Sequence, residues 1–96
     1  MQIYVELKKQ KEEILRIAAL HGARNVRVFG SAVHDRPEEA HDLDLLVEME
    51  KGRTLLDLIA IKQNIEDLLH CKVDVVTTAA LSPYIRDEVL SKAVEL

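Results

Sequence analysis

Three carboxylates and one glycine-serine turn are the residues whose types and spacing could do chemistry. Asp42 and Asp44 stand one residue apart in DLDLLV, and Asp74 stands in KVDVV. In an extended strand alternate side chains share a face, so Asp42 and Asp44 point one way while Leu43, Leu45 and Val47 point the other. Their Cα atoms then lie roughly 6.5 Å apart, close enough for both carboxylates to reach one hard cation or a pair of them. Asp74 interrupts an apolar run from Val73 to Val76, where a lone carboxylate is costly without a cation or hydrogen-bond donors. Gly30 and Ser31 directly follow another apolar run. Glycine permits a tight turn or close backbone approach, serine can cap a following helix, and backbone N–H groups at such a start attract phosphate. Each part alone also has a plainer reading. A strand with acid outward and aliphatics inward is what an ordinary half-buried edge shows, and many turns contain Gly-Ser.

The combination is more specific. Gly-Ser, then ten residues, then Asp-x-Asp-Leu-Leu-Val, then a later strand aspartate, resembles the nucleotidyltransferase superfamily that includes DNA polymerase beta. The short length and the match over nearly the whole chain resemble its minimal nucleotidyltransferase branch, often encoded beside a HEPN-domain protein. The resemblance implies that Gly30 and Ser31 hold the triphosphate of ATP. It implies that Asp42 and Asp44 ligate Mg2+, and that Asp74 completes the metal site and helps activate the attacking hydroxyl. It also implies an activity: AMP moved from ATP onto a hydroxyl, often a tyrosine, of a HEPN-domain toxin, with this chain as the antitoxin. The chain departs from the branch inside the loop. Val33, His34 and Asp35 stand where the branch reads Ala-Arg-Gly, and His41 replaces the small polar residue before the first aspartate. Losing an arginine at position 34 removes a positive charge from the triphosphate region and Asp35 adds a negative one, so Arg36, shifted along the loop, is the candidate replacement. Two alternatives stand beside this reading. One is a non-catalytic module that neutralises a partner by covering its surface; the other is a transferase for a small molecule such as an antibiotic, for which 96 residues leave little wall.

Composition sets the bounds. Ninety-six residues suit one domain spanning 1–96, with 48% hydrophobic and 31% charged residues, as in ordinary globular proteins. Thirteen basic and 17 acidic side chains give a net charge of −4, which argues against a broad nucleic-acid-binding face. The single Cys71 excludes an internal disulfide and suits a reducing cytoplasm, and beside His70 it makes a poor zinc pattern. His34 and His41 flank the loop as candidate ligands or proton shuttles, or as ordinary exposed histidines. No apolar run approaches the roughly 18 residues needed to cross a bilayer and no signal pattern opens the chain, so a cytoplasmic protein with no membrane contact is expected. The sequence leaves open whether the chain forms a homo-oligomer.

The elements that must position these residues follow from periodicity. Val5 to His21 reads as a helix with Leu7, Ile14, Ile17 and Ala18 on its apolar side, ended by Gly22. Asn25 to Phe29 is a short strand, and Val33 to His41, with Pro37, is a loop. After the acidic strand, Glu48 to Gly52 turns the chain and Thr54 caps a helix, with Asp57 completing a capping box and Leu58, Ile61, Ile65 and Leu68 as its stripe. A strand from Lys72 to Thr77 and a last helix announced by Ser82 and Pro83 complete the chain. In that helix Leu81, Ile85, Val89 and Ala93, widened by Leu90, Val94 and Leu96, form a stripe that is either extra core or a docking surface, core being the expectation for so small a chain. The order predicts an α/β (α+β) fold, a small mixed β-sheet packed with helices, and the resemblance makes it polymerase beta-like.

Overall fold

The structure is a computed structural model that describes residues 3–33 and 42–96. Helices α1 (Ile3–Lys9) and α2 (Lys11–Leu20) lead into strand β1 (Ala23–Phe29) and a 3-10 turn at Gly30–Ala32. Strand β2 (Asp42–Met49), helix α3 (Leu55–Leu69) and strand β3 (Lys72–Thr77) follow. A second 3-10 turn at Thr78–Ala80, helix α4 (Pro83–Lys92) and the short strand β4 (Val94–Glu95) end it. The four strands form one mixed sheet in the order β3-β2-β1-β4. β1 runs antiparallel to both β2 and β4, whereas β2 and β3 are parallel, a pairing that needs a crossover such as α3 supplies. Among the described residues no helix is long and apolar enough to cross a membrane.

One face of the sheet is covered. Leu43, Leu45 and Val47 of β2, Val28 of β1 and Val73 of β3 are wholly buried in one cluster with Leu7, Ile14, Ile61 and Ile65 of the helices. The predicted first helix exists but breaks at Gln10, whose backbone leaves helical geometry (φ −101, ψ 14). Leu7, Ile14, Ile17 and Ala18 are all buried, as their spacing requires. Gly22, at φ +82, ends α2. The expected strand is longer by two residues at its start, and Asn25 sits at φ +53 where the pairing of β1 with β2 shifts register, so it forms a bulge.

The capping box holds. Thr54 Oγ1 accepts from the Leu56 N–H at 3.2 Å, and the Thr54 N–H donates to Asp57 Oδ2 at 3.1 Å. In the stripe Leu69 takes the buried place beside Ile61 and Ile65, with Leu58 and Leu68 packed at its margin. His70 closes α3 in the left-handed region (φ +55), its N–H donating to Glu66 O at 2.8 Å. That is a structural role for half of the His70-Cys71 pair.

The last helix corrects the sequence reading. No residue of α4 is buried, Ile85 is 46% exposed and Tyr84 96%. The aliphatic face of the sheet packs on residues of α1, α2 and α3, and no residue of α4 joins that core cluster. Its Ser82 cap and first-turn Pro83 are as expected, with Ser82 Oγ accepting from the Tyr84 N–H at 3.3 Å. Ala93 is already extended (φ −70, ψ 145), and Val94 pairs with Val28 in β4 instead of lengthening the helical stripe. Leu96 does pack against the core.

Candidate active site

The strand register brings the acidic residues together. Phe29 of β1 faces Asp44 of β2, and Asp44 faces Asp74 of β3, so the three form one row across the sheet. One step toward the start of β2 lies a second row, Asp42 beside Lys72, on the same face by strand alternation. This is the face opposite Leu43 and Leu45. Asp42 is exposed, whereas Asp44 and Asp74 are half-buried.

Gly30 fits this row closely. Its φ of +75 lies in the left-handed region, and a Cβ built there would overlap Asp44 Oδ2. Two separate constraints, backbone conformation and contact with a carboxylate, therefore both favour glycine here. The Val33 N–H donates to Gly30 O at 3.2 Å, closing the turn that contains Ser31. The turn is a three-residue 3-10 element, Gly30–Ala32, whose cap position is Phe29, so Ser31 lies within it.

Electrostatics single out Asp44. Burial pushes its carboxyl above the usual range, the neighbouring Asp74 and Asp42 carboxylates push it further, and Lys72 opposes them. Such crowding of negative charge is what a cation relieves. As the side chains stand, among the described residues no three carboxylate, imidazole or thiol groups are close enough to hold a metal ion. The donors nevertheless fit one chemically: three carboxylates on neighbouring strand positions offer only oxygen, the preference of hard divalent cations, and the exposed Asp42 has room to turn. Asp42 and Asp44 are the ones placed to hold such an ion, with Asp74 beside them.

The sequence reading thus has four of its residues, Gly30, Asp42, Asp44 and Asp74, in one neighbourhood, with Ser31 in the adjoining turn. Arg36, His34, Asp35 and His41 lie outside the described residues. Lys72 and Phe29 were missed, although their places two residues before Asp74 and directly before Gly30 were signals enough. Cys71, half-buried, has its thiol pushed up by burial and then by Asp42 and Glu66, which keeps it protonated and a poor nucleophile. A cavity of about 830 Å³ lies toward the other end of β2 and β3 and is lined by none of the three aspartates. The acidic cluster lies instead on the sheet face, where charge and the Gly30 contact coincide.

The family model described as nucleotidyltransferase domain matches residues 6–96. The protein adenylyltransferase MntA of Thermococcus cleftensis is 35% identical over 91 residues, covering 86% of this chain and 92% of that protein. A solved structure bearing the provisional name of minimal nucleotidyltransferase is 44% identical and superposes with a TM-score of 0.84, covering 100% of this chain and 97% of the other. A more distant structure, of a tri-AMPylated Shewanella oneidensis HEPN toxin in complex with an MNT antitoxin, shares the fold at 15% identity and a TM-score of 0.69, covering 99% and 71%. With the family model spanning nearly its whole length and a relative 35% identical over most of both chains, the chain belongs to the nucleotidyltransferase domain family.

Proposed function

We propose that this chain transfers AMP from ATP, with Mg2+, to a hydroxyl on a HEPN-domain partner, and so acts as the antitoxin of a toxin-antitoxin pair. The observation that carries the proposal is the Asp44–Asp74 register pair with Gly30 pressed against Asp44. The Thermococcus relative is named a protein adenylyltransferase, and the Shewanella complex contains an AMPylated HEPN toxin. Both support the reading.

In the proposed reaction the Gly30-Ser31 turn offers backbone N–H groups to the triphosphate, with Arg36 as the loop's positive charge. Asp42 and Asp44 would hold Mg2+, which when bound would supply charge neutralisation for the phosphate oxygens. Asp74 orients the acceptor hydroxyl and takes its proton. The hydroxyl oxygen forms the new bond to the α-phosphorus as the bond to pyrophosphate breaks, and pyrophosphate leaves with its electron pair. Lys72, beside Asp42, balances the negative charge gathered on this face.

The test incubates chain and partner with ATP and Mg2+ and reads intact mass. Addition of AMP to the partner, absent with Asp44→Asn, is expected; a partner that binds tightly yet gains no mass contradicts the transfer reading. One observation favours a second reading, neutralisation by masking: His34 and Asp35 stand where the branch carries arginine and glycine. Unchanged protection from the toxin by Asp44→Asn would select it.

A further inference from the structure

The groove at the far end of the sheet is unused by the proposed chemistry. It has a volume of about 830 Å³ and runs between the start of α3, the turn after β3 and α4. Three arginines line it, Arg24, Arg53 and Arg86. Arg53 is already paired with Glu50 at 3.3 Å and Asp57 at 3.5 Å. The Arg24 guanidinium is in no ion pair among the described residues, and the carboxylate opposite it, Glu48, accepts from the Asn25 side-chain amide instead. Arg86 reaches Leu81 O with one nitrogen at 3.0 Å, but its Nε is covered and has no partner, as is Thr78 Oγ1 in the same wall. In a chain of net charge −4, this groove is locally cationic.

Its rim is apolar. Leu55 is 69% exposed, Leu56 76% and Ile59 38%, all within the first turns of α3. Leucines so exposed and contiguous, beside unpaired guanidiniums, are the composition of a protein-binding patch, with aliphatic anchors and arginine together. The groove also adjoins the carboxylate face. Glu48, on its wall, lies four residues beyond Asp44 on the same strand face, or roughly 13 Å.

We infer that this groove seats the partner protein that carries the acceptor hydroxyl, through a segment bearing a carboxylate between apolar side chains: the carboxylate meets Arg24 and Arg86, and the apolar side chains cover Leu55, Leu56 and Ile59. A partner held there brings a residue a short extended stretch away over Asp44 and Asp74. This supplies acceptor positioning beside the carboxylate face. The inference rests on the proposed transfer to a protein partner.

Calorimetric titration of the HEPN-domain partner into the full chain tests it, with Arg24→Glu, Leu55→Glu and Leu56→Glu as variants at exposed positions whose folding is checked by thermal melting. Each variant is expected to raise Kd for the partner at least tenfold while leaving affinity for ATP with Mg2+ unchanged. Partner affinity within twofold of wild type in all three overturns the docking surface. It does so even if AMP transfer proceeds normally, in which case the transfer reading stands. Weakened variants together with a bound partner that is never AMPylated support the surface and remove the transfer reading. Leu55→Glu that dissociates a dimer of this chain without changing partner affinity makes a second copy the occupant and overturns the proposal, as does a wild-type chain that binds no partner.

Discussion

The two faces of β2 share eight residues and almost nothing else. Leu43, Leu45 and Val47 are wholly buried beneath the helices, while Asp42 and Asp44, interleaved with them, form the acidic row on the opposite face. Because strand side chains alternate, one segment carries both the packing that holds the sheet and the carboxylates proposed to do chemistry, with little physical contact between the two sets. The difference predicts that stability and activity are separable by moving one residue along the chain. Gly30 is where they are not, since its backbone conformation and its contact with Asp44 are one feature.

The sharpest contrast uses adjacent positions. Asp44→Asn is expected to lower AMP transfer by roughly 10²–10³-fold with no loss of folding stability, because it removes charge from the open face and leaves no cavity. Leu45→Ala removes buried volume and is expected to cost about 2–5 kcal/mol in chemical denaturation, while the fraction still folded keeps its nucleotide affinity. Equal effects of both on stability would break the comparison.

Gly30→Ala should blur it. An alanine at that φ costs about 1–2 kcal/mol, and its Cβ must displace the Asp44 carboxylate, so melting temperature and nucleotide binding are expected to fall together. Thr54→Ala is expected to cost about 1 kcal/mol through the lost cap, read by thermal melting, with affinity for ATP and Mg2+ unchanged.

The smallest effect is a pH dependence. Asp44 is held above the ordinary aspartate range by burial, Asp74 and Asp42, so the folded state binds its proton more tightly than the unfolded state does. Its contribution to stability is therefore full below the unfolded value and lost as pH rises through the raised one. Without metal, Asp44→Asn is expected to be more stable than wild type at neutral pH, by about 1 kcal/mol or less after solvent screening, and the gap should close on acidification. Added Mg2+ should narrow the gap at neutral pH. Melting curves across pH, with and without Mg2+, read both trends.

What the sequence disclosed follows the range of its signals. Period-two alternation in β2 and the Thr54-Asp57 cap are local, and both were legible from neighbouring residues. Asp74 was legible as an anomaly in an apolar run, but its pairing with Asp44 depends on parallel register, which no local pattern encodes. Arg24, Arg53 and Arg86 lie far apart in the chain and meet only because α4 crosses near the start of α3. The exposure of α4 was illegible for a similar reason: an apolar stripe shows that a helix has an apolar side, not whether a layer remains for it to cover. The brief β4 strand was hidden because Val94 continues the same helical spacing.

The central claim is that the Asp42, Asp44 and Asp74 face is a metal-dependent nucleotide site. Calorimetric titration of ATP into the purified chain with Mg2+, repeated without metal and on Asp42→Asn/Asp44→Asn, tests it most directly. The account predicts saturable binding that needs Mg2+ and vanishes in the double variant; binding that persists in that variant with the same affinity would contradict it.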